Sequence, residues 1–199
     1  MSVTKRVVVG ITGASGSIYG KRCVEVLVAN GYSVELIFSE TGKRVFLFET
    51  GQSPQEFVAS LPKEQVKLYE PTDLFAPPSS GSHPVKGMLV APCSAGTLGH
   101  IANGVADNLI HRAADVTLKE GRPLVLLFRE TPINRVHAQN ILKAIEAGAK
   151  VVPASPAFYH RPKTVEELVD FVVERALRAL LNEEFGLIEN WEAPQEGRE

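Results

Sequence analysis

Continuous apolar runs alternate with helix-like patterns along the chain, and the apolar runs define its candidate strands. Six runs predict strands, at about 5–12, 33–38, 66–69, 87–91, 123–128 and 150–152. Several of them are apolar at every position rather than at alternate positions, so both faces of the sheet are expected to be covered. Strands that alternate with helices in this way predict an α/β fold with a doubly wound, mostly parallel sheet.

Two segments carry a clear helical spacing of apolar residues. Residues 134–147 and 164–181 each place apolar side chains at i, i+3, i+4 and i+7. In the first segment these positions are Ala138, Ile141, Leu142 and Ile145. Thr164 followed by Glu167 predicts a capping box at the start of the second helix.

Two short loops rich in small and hydroxyl residues follow candidate strands. One spans residues 13–16 (GASG) after the first strand, and the other spans residues 92–97 (PCSAGT) after the fourth. A strand followed by such a loop and a helix exposes backbone N–H groups and the positive end of the helix dipole, which bind phosphate. In a doubly wound sheet, ligands lie at the carboxyl ends of the strands where the winding reverses. If the first and fourth strands are neighbours, the two loops are expected to hold one phosphorylated cofactor between them.

Composition narrows the class of protein. The net charge of −2 gives no reason to expect binding to nucleic acid or to an anionic membrane surface. The longest apolar runs, such as residues 124–128, are far shorter than the ~20 residues that span a bilayer. The two cysteines form neither a metal-ligand spacing nor a secreted disulfide pattern, so a reducing cytoplasm is expected. The five histidines are scattered without an H-x-H or H-E-x-x-H motif, and no metal is expected.

Several motifs have a structural interpretation beside the functional one. The glycines of the first loop lack the G-x-G-x-x-G spacing of dinucleotide sites, and tight strand–helix packing explains them equally well. Cys93 is interpreted as a small buried thiol. Arg112 and Lys119 lie two helical turns apart on one face, which is the usual pattern of a solvated surface. Arg129 and Glu130 directly follow the fifth strand, where this fold builds its sites.

Taken in order, these segments resemble the flavin prenyltransferase family (UbiX-like). The matching segments, spread over roughly residues 5–180, are 10–16 (GITGASG), Ser39, 49–51 (ETG), 92–94 (PCS), 107–110 (DNLI), 112–115 (RAAD), 118–120 (LKE), 129–132 (RETP) and 156–162 (PAFYHRP). The resemblance implies a Rossmann-like flavoprotein fold with FMN as cofactor. It further implies transfer of a dimethylallyl group from dimethylallyl phosphate to reduced FMN, which makes prenylated FMN for a partner decarboxylase. A homo-oligomer, a dodecamer with sites at subunit contacts, is also implied.

The resemblance implies roles for individual residues as well. FMN is expected to be held by Gly13, Ala14, Ser15, Ser39, Ser94, Ala95, Gly96, Thr97 and Arg129. The donor phosphate is expected to be bound by Arg112, Lys119, Tyr159 and Arg175. Catalysis is expected to involve Ser15, Glu49 and Glu130. Gly96 stands where the family often has a lysine, which removes a charge from this loop and leaves its backbone donors in place.

Two other functions fit the same fold, and features of the chain distinguish each of them from flavin prenyl transfer. An FMN-dependent decarboxylase of a cysteine-derived carboxylate typically has a Pro-x-Ala-Ser-Ala-Asn-Thr-like loop, whereas residues 92–97 lack the asparagine. A non-catalytic flavin-binding subunit would not need a second phosphate site. Residues 1–185 are expected to form a single FMN-binding domain, and residues 186–199 a polar tail or lid that contains Trp191.

Overall fold

Six strands and seven α-helices make up residues 5–188, the part of the chain that the computed structural model describes. The strands are β1 (Arg6–Ile11), β2 (Ser33–Phe38), β3 (Val66–Tyr69), β4 (Met88–Cys93), β5 (Leu124–Phe128) and β6 (Lys150–Pro153). The helices are α1 (Ser17–Ala29), α2 (Glu40–Thr50), α3 (Pro54–Ala59), α4 (Ala95–Ala102), α5 (Leu109–Lys119), α6 (Arg135–Glu146) and α7 (Val165–Leu181). None of these helices has the length and apolar composition needed to cross a bilayer.

The order of the strands in the sheet is β3-β2-β1-β4-β5-β6, so the winding reverses between β1 and β4. Val9 of β1 lies opposite Leu36 of β2 on one side and opposite Leu89 of β4 on the other. All the strand pairs are parallel. The predicted doubly wound parallel sheet is confirmed, and the ends of β1 and β4 lie side by side at its carboxyl edge.

Both faces of the sheet are buried, as the continuous apolar runs predict. Val7 and Val9 belong to one buried layer, which contains residues of α1 and α7. Val8, between them, belongs to the opposite layer, which contains residues of α4 and α5. Each fully buried aliphatic side chain of this kind stabilises the fold by about 1.5–3 kcal/mol relative to exposure. The two layers make the sheet a rigid base for the loops at its carboxyl edge.

The start of α7 forms half of the predicted capping box. The Thr164 hydroxyl accepts from the N–H of Glu167 at 3.2 Å, as expected. The Glu167 carboxylate, however, accepts from the N–H of Lys163 at 2.6 Å, one residue before the cap. The helix therefore begins where the sequence predicts, but Glu167 accepts from the N–H of Lys163 instead of the N–H of Thr164. A complete reciprocal box is formed instead by Ser53 and Glu56 at the start of α3.

Helix α6 leaves its apolar stripe exposed. Ala144 is its only buried residue. Leu142 and Ile145, which belong to the predicted stripe, are 56% and 51% exposed. The helical spacing is thus confirmed, but the described residues of the chain do not cover this face. Contiguous exposed apolar surface of this kind often marks a contact with another molecule.

Candidate active site

The carboxyl ends of β1 and β4 are joined by the side chain of Thr12. Its hydroxyl donates to the carbonyl oxygen of Pro92 at 2.6 Å and accepts from the N–H of Ser94 at 2.9 Å. Thr12 is 1% exposed, so these bonds form away from water. The two predicted ligand loops therefore meet at one place, the β1–β4 crevice (residues 12–16 and 92–97). Sequence reasoning missed this role of Thr12, whose signal is a hydroxyl residue that ends an apolar strand.

The N-terminus of α4 opens onto this crevice with unpaired donors. The Ser94 hydroxyl accepts from the N–H of Thr97 at 3.2 Å and lies 3.1 Å from the Thr97 hydroxyl. The N–H groups of Ala95 and Gly96 have no acceptor within residues 5–188. A Cβ placed on Gly96 would meet only the Ser94 hydroxyl, at 4.0 Å, so the space in front of the helix is open. The arrangement is suited to an anion.

The N-terminus of α1, in contrast, already holds a carboxylate. Oε2 of Glu49 accepts from the N–H of Gly16 at 3.0 Å and from the N–H of Ser17 at 2.7 Å. Partial burial opposes the charge, but hydrogen bonds from the Ser15 hydroxyl and these N–H groups outweigh it and lower the pKa of Glu49. The predicted pair Ser15 and Glu49 is therefore in contact. In the first loop, the carboxylate of Glu49 therefore occupies the N–H groups of Gly16 and Ser17, whereas the N-terminus of α4 stays open.

The glycines of the first loop pack tightly, in agreement with the structural interpretation. A Cβ on Gly13 would lie 2.5 Å from Cγ2 of Thr41, and one on Gly20 would clash with the carbonyl oxygen of Ala91. Ser39 stands at the end of β2, where its N–H donates to the carbonyl oxygen of Ile11 at 3.0 Å. Ser39 therefore lies beside the crevice. Its hydroxyl accepts from the N–H of Gly42 and so caps α2.

Arg129 and Glu130 complete the crevice from β5. The N–H of Arg129 donates to the carbonyl oxygen of Cys93 at 3.2 Å, which places it next to the end of β4. The Nε of Arg129 is buried and has no hydrogen-bond partner among the described residues. Glu130 Oε1 lies 3.9 Å from Nη1 of Arg129 and accepts from the N–H of Thr131 at 3.1 Å. Because a buried unpaired donor costs about 1–3 kcal/mol or more, Arg129 points to an acceptor supplied by a ligand.

Arg112 and Lys119 share one face of α5, as predicted, but that face meets residues 77–81 rather than the β1–β4 crevice. Arg112 donates from Nε to the carbonyl oxygen of Ser79 at 3.2 Å and from Nη1 to Asp115 at 2.7 Å. Lys119 pairs with Glu120, and a Cβ on Gly81 would lie 2.7 Å from its Nζ. Both cations are about half exposed and available to a further anion.

Tyr159 and Arg175 are each related to Phe171 of α7. The rings of Tyr159 and Phe171 meet edge to face, with centroids 5.8 Å apart. Arg175, one helical turn after Phe171, lines a groove of about 640 Å³ between β6 and α7. Tyr159 is 51% exposed. The loop before α7 therefore folds back onto the helix at Phe171, and Arg175 lies one helical turn further along.

The remaining candidates have structural roles or lie outside the described residues. Cys93 is fully buried, and burial raises the pKa of its thiol, so it is the inert thiol that the sequence predicts. Trp191 lies outside the described residues.

The predicted site residues thus form three groups in a single chain. They are the crevice group (Ser15, Glu49, Ser94, Thr97, Arg129 and Glu130), the α5 pair (Arg112 and Lys119) and the α7 pair (Tyr159 and Arg175). Within residues 5–188, no hydrogen bond or ion pair connects one group to another.

Comparisons with known proteins place these features among flavoproteins. A family model described as Flavoprotein matches residues 1–177. The flavin prenyltransferase UbiX of Pseudomonas aeruginosa is 43% identical over 190 residues, which cover 90% of this chain and 91% of that protein.

Two solved structures match nearly the whole chain. A UbiX (PadA1) crystallised with FMN and dimethylallyl pyrophosphate has a TM-score of 0.90 and 37% identity, and the match covers 96% of this chain and 99% of that one. A dodecameric FMN-dependent UbiX-like decarboxylase from Escherichia coli O157:H7 has a TM-score of 0.88 and 38% identity, with 94% of this chain and 100% of that one covered.

Proposed function

Because the chain belongs to the Flavoprotein family and to the flavin prenyltransferases within it, we infer that it binds FMN and alkylates the reduced flavin with a dimethylallyl group. The donor is a dimethylallyl phosphate, and the product is prenylated FMN. The curated relatives carry the prenyltransferase name, so the alternatives of a cysteine-derived carboxylate decarboxylase and of a non-catalytic flavin-binding subunit are not favoured.

The observation that carries this proposal is the open anion cradle in the β1–β4 crevice. The free N–H groups of Ala95 and Gly96, the Ser94 and Thr97 hydroxyls and the unpaired Nε of Arg129 all lie at one edge of the sheet. Neutral donors at a helix N-terminus suit a phosphate that remains bound through the reaction. These residues therefore fit the phosphate end of FMN.

The donor phosphate makes a different demand on the protein. The bond between the allylic carbon and oxygen breaks, and its electron pair leaves with the phosphate, which gains negative charge. Reduced FMN supplies the electron-rich ring that takes the allyl group at N5 and C6. Three cations, Arg112, Lys119 and Arg175, are suited to stabilise the departing phosphate, with the Tyr159 hydroxyl as a further donor.

Proton handling is assigned to the crevice carboxylates and Ser15. Ring closure at C6 would need a proton added to the remaining C=C bond of the allyl group and a proton removed from C6, and Glu130, which lies beside Arg129, is proposed to carry out both transfers. Ser15 would relay a proton at N5 of the bound flavin, and its hydrogen bond to Glu49 would orient the hydroxyl for this task.

Assembly from several copies would bring the three groups together. Within residues 5–188, no hydrogen bond or ion pair links the donor-binding cations to the crevice, and Leu142 and Ile145 of the apolar stripe of α6 are exposed. The related E. coli structure is a dodecamer, which supports the same assembly here. We further propose that this assembly delivers prenylated FMN to a partner decarboxylase, and that it works in a reducing cytoplasm, where the two free buried cysteines stay as thiols.

Two capping serines allow a matched test of the FMN site. Ser94 caps α4 at the crevice, and Ser53 caps α3 away from it. Ser94→Ala is expected to weaken FMN binding about tenfold or more, since it removes a hydrogen bond to a charged phosphate. Ser53→Ala removes a cap of the same kind and is expected to leave the affinity unchanged. Fluorescence titration with FMN measures both, and an equal affinity in the two variants would contradict the placement.

A further inference from the structure

A cluster of two histidines and an aspartate lies where α4 meets α5, outside the β1–β4 crevice. His100 is in the last turn of α4, Asp107 precedes α5, and His111 is in the first turn of α5. Each residue offers one possible ligand atom, which is a ring nitrogen or a carboxylate oxygen. These three atoms all lie within 4.8 Å of one another. We propose that His100, Asp107 and His111 bind one divalent transition-metal ion of the zinc type.

The carboxylate of Asp107 faces both rings. Its Oδ1 lies 2.6 Å from Nδ1 of His111, and its Oδ2 lies 3.2 Å from Nε2 of His100. Two imidazole nitrogens and one carboxylate oxygen form a common donor set for zinc and neighbouring first-row metals. Three protein ligands leave at least one coordination position for water.

The hydrogen bond on the far side of His100 supplies an independent indication of a cation. Nδ1 of His100 lies 2.8 Å from the carbonyl oxygen of Gly96, which accepts and cannot donate. Nδ1 therefore carries the hydrogen, and in the neutral ring Nε2 presents a lone pair toward Asp107. A lone pair and a carboxylate oxygen at 3.2 Å repel one another unless a proton or a metal ion lies between them. Metal-binding histidines show this same orientation, with the second ring N–H donated to a carbonyl.

Binding requires a modest movement of His100. The two rings are stacked, with centroids 4.4 Å apart and an angle of 16° between their planes, so their lone pairs lie in nearly parallel planes. The side chain of His100 is 38% exposed at a helix end, which leaves it room to tilt toward a shared ion. A cavity of about 210 Å³ beside both histidines accommodates water ligands.

The position of the cluster indicates a stabilising rather than a chemical role. The ion would fasten the end of α4 to the start of α5. The first turn of α4 forms the anion cradle, and α5 carries Arg112, so the link would hold the two helices of the proposed site in fixed relation. An ion that binds the folded chain alone raises its stability as its concentration rises above the dissociation constant.

Calorimetric titration of the metal-free full chain with Zn²⁺ tests the proposal. We expect one ion per chain and a rise in Tm on binding. His100→Ala and His111→Gln are each expected to weaken binding by at least about tenfold and to abolish the rise in Tm. His137→Gln, which changes a histidine on α6 away from the cluster, is the matched control and should bind as the unchanged protein does.

Binding of equal affinity in all three variants, or no saturable binding at all, would overturn the proposal. X-ray absorption of the zinc-loaded unchanged protein provides a test that does not depend on how the variants fold. Two imidazole nitrogens at about 2.0–2.1 Å would support the site. A first shell of oxygen or sulfur without imidazole would overturn it.

Discussion

The carboxylate of Glu49 at the N-terminus of α1 makes a prediction that can be worked from the structure. Glu49→Gln keeps the size of the side chain and removes its charge from a position that accepts N–H groups at 2.7 and 3.0 Å. Hydrogen bonds to a charged group contribute about 1.5–3 kcal/mol against about 0.5–1.5 for neutral ones, and the helix dipole adds about 0.3–1. Because Glu49 is exposed and water screens it, the lower ends apply, and we expect a loss of about 1–2 kcal/mol.

The loss should also depend on pH in a definite direction. The pKa of Glu49 is lowered in the folded chain, so its contribution is fully present above the ordinary value of 4.5 and is lost as the pH falls through the folded pKa. The difference between the original protein and Glu49→Gln should therefore be full at about pH 6 and shrink toward about pH 3.

Urea denaturation of the FMN-free protein, followed by circular dichroism at fixed protein concentration, measures this difference. In thermal scans, the expected loss of stability corresponds to a Tm of Glu49→Gln that is about 2–8 °C below that of the original protein, for a chain of this length. Glu146→Gln, an exposed glutamate at the end of α6, serves as the control and is expected to cause no loss. Equal stability of Glu49→Gln and the original protein at about pH 6 would refute the role of the carboxylate as the cap of α1.

Three further outcomes follow from the proposed function. Ser15→Ala and Glu130→Gln should retain FMN and lose about 10²–10⁴-fold in single-turnover rate, because each removes a proton-transfer group; an unchanged rate would rule out that residue's role. Lys119→Ala, Tyr159→Phe and Arg175→Ala should weaken dimethylallyl phosphate about 10–150-fold in separate titrations while FMN affinity holds, and the reverse pattern would mean that they bind the other phosphate. Sedimentation should find the activity in an oligomer, and a fully active monomer would contradict a site shared between copies.

The central strands were predictable because their environment is uniform. β5 is buried at every position and β1 at every position after Arg6, so a nearly continuous apolar run marks each strand. The position of the crevice followed as well, since a reversal of winding between the first and fourth strands brings their loops together. Ser94 is predictable as a cap because the cap and the helix that it begins are adjacent in sequence.

Contacts between distant positions were not predictable in this way. Glu49 and Gly16 are separated by 33 positions, and no periodicity relates the end of α2 to the start of α1. His100 and His111 stack because two helices fold against each other. A search for local histidine motifs in the sequence could not find such a contact. The exposed stripe of α6 shows the same limit, because helical spacing identifies an apolar face and does not say which molecule covers it.

The most direct test of the proposed activity is the mass of the flavin after reaction. Purified protein is incubated without oxygen with reduced FMN and dimethylallyl phosphate, and the flavin is released and examined by mass spectrometry. The account predicts a flavin that has gained the mass of one isoprene unit, together with free phosphate, and far less of this product in the same time with Glu130→Gln. Recovery of unmodified FMN with the donor intact, from protein that binds both, would contradict it.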